Sequence, residues 1–184
     1  MPGWPPSTPT CSASWSPTRG RCASPSGSPR STSRRECTPL DLLGTWSLRR
    51  RLVDRRTGRF GRVTGGLELT RAGSSVRWFE EGRFEWNGAV VPVTRELLLA
   101  PDGDGWQVRF ADGRPFHWWR PGEVVSHPCR ADLYRGLISV DPSRRRLRVL
   151  WDVTGPGKDQ RIVTRCVRVV SPAGRVPAVP RRPA

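Results

Sequence analysis

The chain has 184 residues, 35% of them hydrophobic, and a formal net charge of +16, enough for one domain with a real core once polar ends are set aside. No run of about 18 apolar residues is present and the N-terminus lacks an apolar signal-peptide core, which sets aside a helical membrane protein and predicts a soluble, cytoplasmic one. Lys158 is the single lysine among 32 basic residues, a bias that reads as GC-rich coding more than as selection for phosphate contacts.

Residues 1–40 are crowded with Pro, Ser, Thr and Arg, lack apolar periodicity, and include Pro5-Pro6, Ser16-Pro17, Ser24-Pro25 and Ser28-Pro29. Such a segment cannot bury enough apolar surface to offset its ordering entropy, so it reads as a disordered tail in which Trp4 and Trp15 stand isolated. Met1 is the sole methionine, and a natural start further along the chain is a second expectation for this segment. Residues 171–184 repeat Pro and Arg and read as another loose end, leaving 41–170 as the folded domain. The two tails carry net charges of +4 and +3 against +9 for the domain, so nearly half the excess lies outside the fold. The basic runs Arg49-Arg50-Arg51 and Arg144-Arg145-Arg146 fall at strand or turn positions, a solvated basic surface rather than a nucleic-acid interface. Cys11, Cys22 and Cys37 belong to the tail and Cys129 and Cys166 to the domain. An odd count without regular spacing argues against a disulfide framework and for a reducing compartment.

From Trp46 onward the pattern has period two, with turn signals about every ten residues. Trp46, Leu48 and Leu52 share a face with Arg50 between them; Thr57-Gly58 turns the chain; Val63 to Thr70 follows, with Leu67 and Leu69 on one face. After Ala72-Gly73, the row Val76, Trp78 and Glu80 alternates with Arg77, Phe79 and Glu81, and a short strand with Phe84 and Trp86 lies between Gly82 and Asn87-Gly88. Val90 to Ala100 is the next strand. Trp106 to Ala111 and Arg114 to Trp119 form a hairpin on Asp112-Gly113, expected as a two-residue type I′ loop pairing Ala111 with Arg114, Val108 with His117 and Trp106 with Trp119. That register puts His117 inward among Trp106, Val108, Phe110 and Trp119. A loop around Pro121-Gly122 and Pro128 leads to strands at Leu133–Val140, Leu147–Val153 and Arg161–Val170, with Leu147, Val149, Trp151 and Val153 forming one inward row and Val163, Val167 and Val169 another. The sum is about ten strands in meander order and no convincing helix: an all-β, single antiparallel up-and-down barrel.

Gly44-Thr45-Trp46 at the first strand resembles the Gly-x-Trp opening of lipocalins and related calycin barrels. In those barrels an arginine on the last strand lies across the tryptophan, and Arg165, on the parity of Val163 and Val167, is the residue this resemblance nominates. Three further stretches, Phe110-Ala-Asp112-Gly113-Arg114-Pro-Phe116-His117, His127-Pro-Cys129-Arg-Ala-Asp132-Leu-Tyr134 and Trp151-Asp-Val-Thr-Gly155-Pro156-Gly-Lys158-Asp159, together resemble a family of bacterial and fungal lipocalin-like proteins known only as a domain of unknown function. The resemblance covers about residues 42–169 and implies a calycin barrel without an established activity.

The candidate chemistry lies in and around the hairpin. His127, Cys129, Asp132 and Tyr134 fall within eight residues, with His117 on the neighbouring hairpin. Either they converge at a barrel mouth, Asp132 fixing an imidazole tautomer and Tyr134 donating a hydrogen bond, or they satisfy one another structurally while Cys129 packs as a small hydrophobe. One reading is a small-molecule binder with an apolar, aromatic lining (Trp78, Trp86, Trp106, Trp119 and Trp151) and polar anchors at Arg50, Arg95, His117, His127 and Tyr134. The alternative is an acid–base enzyme of isomerase, cyclase or decarboxylase type on the same scaffold, using His117, Asp132 and Tyr134. Haem on an inward His117 or His127 is a further alternative; no other cofactor is expected. A zinc site from His117, His127, Cys129 and Asp132 lacks paired spacing. Gly155-Pro156-Gly157-Lys158-Asp159 lacks the remainder of a P-loop and reads as a hairpin turn, with Lys158 and Asp159 able to rim an entrance for an anion.

Overall fold

The period-two alternation is realised as ten strands in the computed structural model, which describes residues 36–170. They are β1 (Gly44–Asp54), β2 (Phe60–Ala72), β3 (Ser75–Trp86), β4 (Ala89–Asp102), β5 (Gly105–Phe110), β6 (Pro115–Trp118), β7 (Val124–Cys129), β8 (Asp132–Val140), β9 (Arg146–Gly155) and β10 (Lys158–Arg168). They form one antiparallel sheet in the order β6-β5-β4-β3-β2-β1-β10-β9-β8-β7. The first and last strands are zipped together, so the barrel's seam falls in mid-chain between β6 and β7. No hydrogen-bonded ladder joins those two strands among the described residues. Their side chains close the gap instead, with the Phe116 and His127 rings 4.8 Å apart and nearly perpendicular.

The expected strand count of ten is met through two compensating differences. β3 runs unbroken through Gly82, which the sequence suggested as a boundary. Gly82 instead lies opposite Gly65, and a Cβ on either would strike the backbone of the other strand. Two backbones meet there with no room for side chains, a use of strand glycine distinct from ending the strand. Conversely, Val124–Cys129 is strand β7, not loop. Pro128 is accommodated because β7 is a sheet edge, where a missing N–H breaks no second ladder.

The hairpin loop also differs. Phe110 N–H donates to the Arg114 carbonyl and Gly113 N–H to the Phe110 carbonyl, both at 2.9 Å, with Gly113 at φ +84°. This is a three-residue loop ending in a left-handed glycine, so Arg114 pairs with Phe110 and not Ala111. Val108 still opposes His117, but Arg109 opposes Pro115. Phe116 is therefore the extra residue of a bulge, and such bulges re-aim side chains.

β10 has the opposite parity to that expected. Leu48 opposes Cys166 and Arg50 opposes Thr164. Directly opposed residues share a face, so Thr164 and Cys166 point into the core while Val167 is 50% exposed. The many β-branched residues on both parities hid this. Arg165 accordingly faces outward, opposite Arg49 on one side and Arg148 on the other, and is not the arginine on Trp46.

Arg168 takes that place. Its guanidinium lies 4.6 Å from the Trp46 ring centre and donates to the carbonyls of Leu43 (2.6 Å), Asp41 and Arg144 (both 3.2 Å). Gly44 is at φ +132°, and a Cβ there would approach Arg168 Nη1 to 3.1 Å, which accounts for glycine before Trp46. A short 3-10 turn, Pro39–Leu42, precedes β1, capped by Asp41 accepting from Thr38 N–H at 2.9 Å. Leu42 is fully buried, and Trp119 Nε1–H donates to the Cys37 carbonyl at 2.9 Å, so packing on the barrel starts before the expected boundary at 41. Residues 1–35 and 171–184, including the tail expectations and Cys11 and Cys22, lie outside the described residues.

Candidate functional site

Inward rows from β3, β4, β6 and β9 converge under the bulge. Trp78, Arg95, Leu97, Val108, Phe116, His117, Trp119, Ile138, Val149 and Trp151 line a void of about 20 Å³, room for about one water molecule. A second void of about 10 Å³ lies between Leu48, Arg50, Val63, Glu80, Glu81, Val93, Thr94 and Arg95. Arg95 borders both.

The rings around the first void are in close contact. Phe116 stacks on Trp151 at 5.1 Å between ring centres, and His117 stands edge-on to Phe116 at 4.6 Å and to Trp151 at 5.2 Å. The bulge is what allows Phe116 and His117, adjacent in sequence, both to reach the interior.

A charged cluster forms the polar end of the site. Glu80 Oε1 and Oε2 accept from Arg50 Nη2 at 2.9 and 2.7 Å. Glu80 Oε1 also accepts from Trp78 Nε1 at 2.8 Å and from Arg95 Nη2 at 2.5 Å. Arg50 Nε donates to Thr164 Oγ1 at 2.7 Å. Burial pushes the Glu80 carboxyl up, but the Arg50 and Arg95 charges and the donated hydrogen bonds outweigh it and hold the group down at about 2. Two guanidiniums thus share one carboxylate, leaving one positive charge in excess on a cluster whose Arg95 side chain is 31% exposed. Arg50 has both Nε and Nη2 engaged, whereas Arg95 Nε–H is buried with no hydrogen-bond partner among the described residues.

His117 Nδ1 lies 2.8 Å from the Trp118 carbonyl, which assigns the proton to Nδ1 and leaves Nε2 as the ring's acceptor. Burial, only partly offset by the Trp118 hydrogen bond and reinforced by nearby Arg95, lowers its pKa to about 4, so the ring is neutral at pH 7.

Of the residues nominated from sequence, Arg50, Trp78, Arg95, His117, Trp119 and Trp151 come together at these two voids. Trp106 packs against the core without lining either void. Trp86 stacks on Phe84 at 5.9 Å, away from them. His127 lies at the seam and Tyr134 behind it, 6.5 Å from the Trp151 ring. Asp132 is directed to Lys158, at 2.7 Å, and Lys158 also lies 3.4 Å from Tyr134 Oη. The expected carboxylate–imidazole pair is therefore not formed, because Asp132 opens β8 beside Gly155. Gly155 and Lys158 face each other across a two-residue hairpin turn, the turn expected there.

Glu80, Thr164 and Phe116 are polar and aromatic members that sequence reasoning did not assign, Thr164 because the parity of β10 is reversed. Glu80's place on the inward row with Val76 and Trp78 was the available signal. Phe116 gave none, since only the bulge brings it inside.

In the conformation described, Phe116 and Trp151 stand against the His117 ring at 4.6 and 5.2 Å and leave no room for a haem macrocycle beside it. Among the described residues, no three His, Cys, Asp or Glu side chains are grouped to hold a metal ion, and no helix is long and apolar enough to cross a membrane.

Ten antiparallel strands in meander order around a single core define a calycin-like barrel. Among solved structures, that of the S-type phycobiliprotein lyase CPES from Guillardia theta is similar, with a TM-score of 0.54 and 15% identity, over 71% of this chain and 89% of that one. The likeness is one of fold. Residues 42–168 match the model of a family described as a family of unknown function (DUF6314), and the chain belongs to that family. No curated protein matches it.

Proposed function

We propose that the barrel binds a small, flat, apolar or aromatic molecule in its interior, under the β6 bulge. The observation that carries this reading is the convergence of Trp78, Phe116, Trp119 and Trp151 around Arg95, a partly buried arginine with an unsatisfied donor that borders the void, beside the unladdered seam. The void of about 20 Å³ is too small for such a ligand in the closed conformation. Swinging the Phe116 ring out of the barrel vacates a ring-sized space against Trp151 and His117. Phe116 is the side chain placed to do this, because it belongs to a bulge on an edge strand. Its loss from the interior breaks ring contacts and no ladder. The likeness to a phycobiliprotein lyase barrel supports the scaffold and does not specify the ligand.

Acid–base catalysis by His117, Asp132 and Tyr134 gains no support from the geometry, since Asp132 and His117 occupy different parts of the barrel.

The test is isothermal titration of the full chain with the neutral bicycle 2-naphthamide. The reading expects one saturable site that is lost when Ile138→Trp fills the void and retained in Val167→Trp, which places the same ring outside. Equal binding by both variants, or none by the native chain, contradicts it.

A further inference from the structure

Arg95 is the unusual member of the interior. Arg50, Glu80, Trp78 and Thr164 satisfy one another, yet Arg95 engages Glu80 through Nη2 alone among the described hydrogen bonds and keeps a buried Nε–H without a partner. A buried donor left without an acceptor keeps its desolvation cost uncompensated, the more so on a charged group. The cluster also retains one excess positive charge where the walls are apolar. An apolar wall would cost less with a neutral side chain at position 95, and a second carboxylate would balance the charge. Glu80 is the only buried carboxylate among the described residues; Glu81, which also lines the second void, is exposed to solvent on the other parity of β3. What satisfies both the donor and the charge is a ligand with one negative group.

We infer that the ligand of this barrel is a monoanion, an aromatic or apolar carboxylate or its sulfonate or phosphodiester equivalent. Its anionic oxygens take the Arg95 Nε–H, and its apolar body lies in the Phe116 space. The inference rests on the interior-binding reading above. Arg95 suits this role because it borders both voids and because its planar fork matches a carboxylate's two oxygens. Arg50 does not, since its Nε is committed to Thr164 and its Nη2 to Glu80. Glu80 sets the selectivity, since its charge, opposite Arg95, leaves room for one negative charge and repels a dianion. His117, neutral and with its Nε2 as acceptor, tolerates a protonated or hydroxylated position on the ligand without adding a charge.

The experiment compares 2-naphthoate with 2-naphthamide, which share shape and differ in charge, by titration calorimetry on the full chain at 0.15 M salt. The native chain is expected to bind naphthoate at least tenfold more tightly than naphthamide. Arg95→Met is expected to remove that preference by weakening naphthoate at least tenfold while leaving naphthamide within about twofold. Arg95→Lys, which keeps the charge and the paired carboxylate, guards against a folding defect and should retain an intermediate preference. Arg49→Gln, on the outer face, should change neither affinity. Naphthamide binding without a naphthoate preference, or a preference that survives Arg95→Met and falls with Arg49→Gln, overturns the anion inference and leaves interior binding intact. Failure of naphthamide to bind at the Ile138 site overturns the interior reading itself.

Discussion

The Arg168 guanidinium caps the Trp46 ring at 4.6 Å and is held there by the carbonyls of Leu43, Asp41 and Arg144, so the last strand locks the first at the end of the barrel where the chain enters. A cation over a buried tryptophan adds roughly 0.5–2 kcal/mol, and carbonyls stripped of a charged donor lose about as much again. Arg168→Ala is therefore expected to destabilise the protein by about 2–3 kcal/mol in urea denaturation. Arg165→Ala should stay within about 0.5 kcal/mol and be mildly stabilising at low salt, because Arg165 opposes two other arginines. Equal effects of the two substitutions would contradict the assignment.

Glu80 is the keystone of the interior charges. Glu80→Gln keeps an oxygen for Trp78 but leaves Arg50 and Arg95 near each other without a counter-charge. Breaking a buried pair in this way costs roughly 3–5 kcal/mol. Adding Arg95→Met to Glu80→Gln removes one stranded cation and should recover part of that loss. The melting temperatures of the two variants should thus rank the double substitution above the single, and the reverse order would exclude the proposed charge balance.

Acid should weaken the fold in two windows. His117 titrates near 4 in the folded chain against 6.5 unfolded, so between these values the unfolded chain binds a proton that the folded one refuses. Stability is then lost as pH falls from about 6.5 toward 4. Between pH 7 and 5 this amounts to about 2 kcal/mol. Glu80, held at about 2 against 4.5, contributes stability present above 4.5 and lost as pH falls through the lower window. Urea denaturation at pH 7 and pH 5 should therefore show a smaller loss for His117→Phe than for the native chain, a difference that a solvent-exposed His117 could not produce.

Gly136 faces the Trp151 ring so closely that a Cβ would come within 2.5 Å of it. The tryptophan covers the glycine's bare backbone, a pairing that stabilises sheets where a side chain is missing. Gly136→Ala should push Trp151 toward Phe116, cost roughly 1–3 kcal/mol through overpacking, and shift the tryptophan emission. An unchanged melting temperature and emission would mean that Trp151 is free to move.

The barrel was legible because alternation survives averaging: Leu147, Val149, Trp151 and Val153 read as an inward row and are all buried. What was hidden depended on single-residue register. One bulged residue at Phe116 turned an outward position inward, and β-branched residues on both faces of β10 reversed the choice between Arg165 and Arg168. The voids' polar end was half legible. Arg50 and Arg95 stand out as inward charges, but that both lean on Glu80, two strands from Arg50 and directly opposite Arg95, follows from the pairing of β1, β2, β3 and β4. Asp132 near two histidines suggested a catalytic pair that the start of β8 directs to Lys158 instead.

The most direct test of interior binding is methyl-resolved NMR of the full chain titrated with 2-naphthamide and 2-naphthoate. Shifts are expected to be confined to the buried methyls of Leu97, Val108, Ile138 and Val149, which line the void. Shifts instead at Val90, Val91, Val124 and Val167, which are exposed on the outside, would show that both probes bind the surface and would contradict a ligand-binding interior.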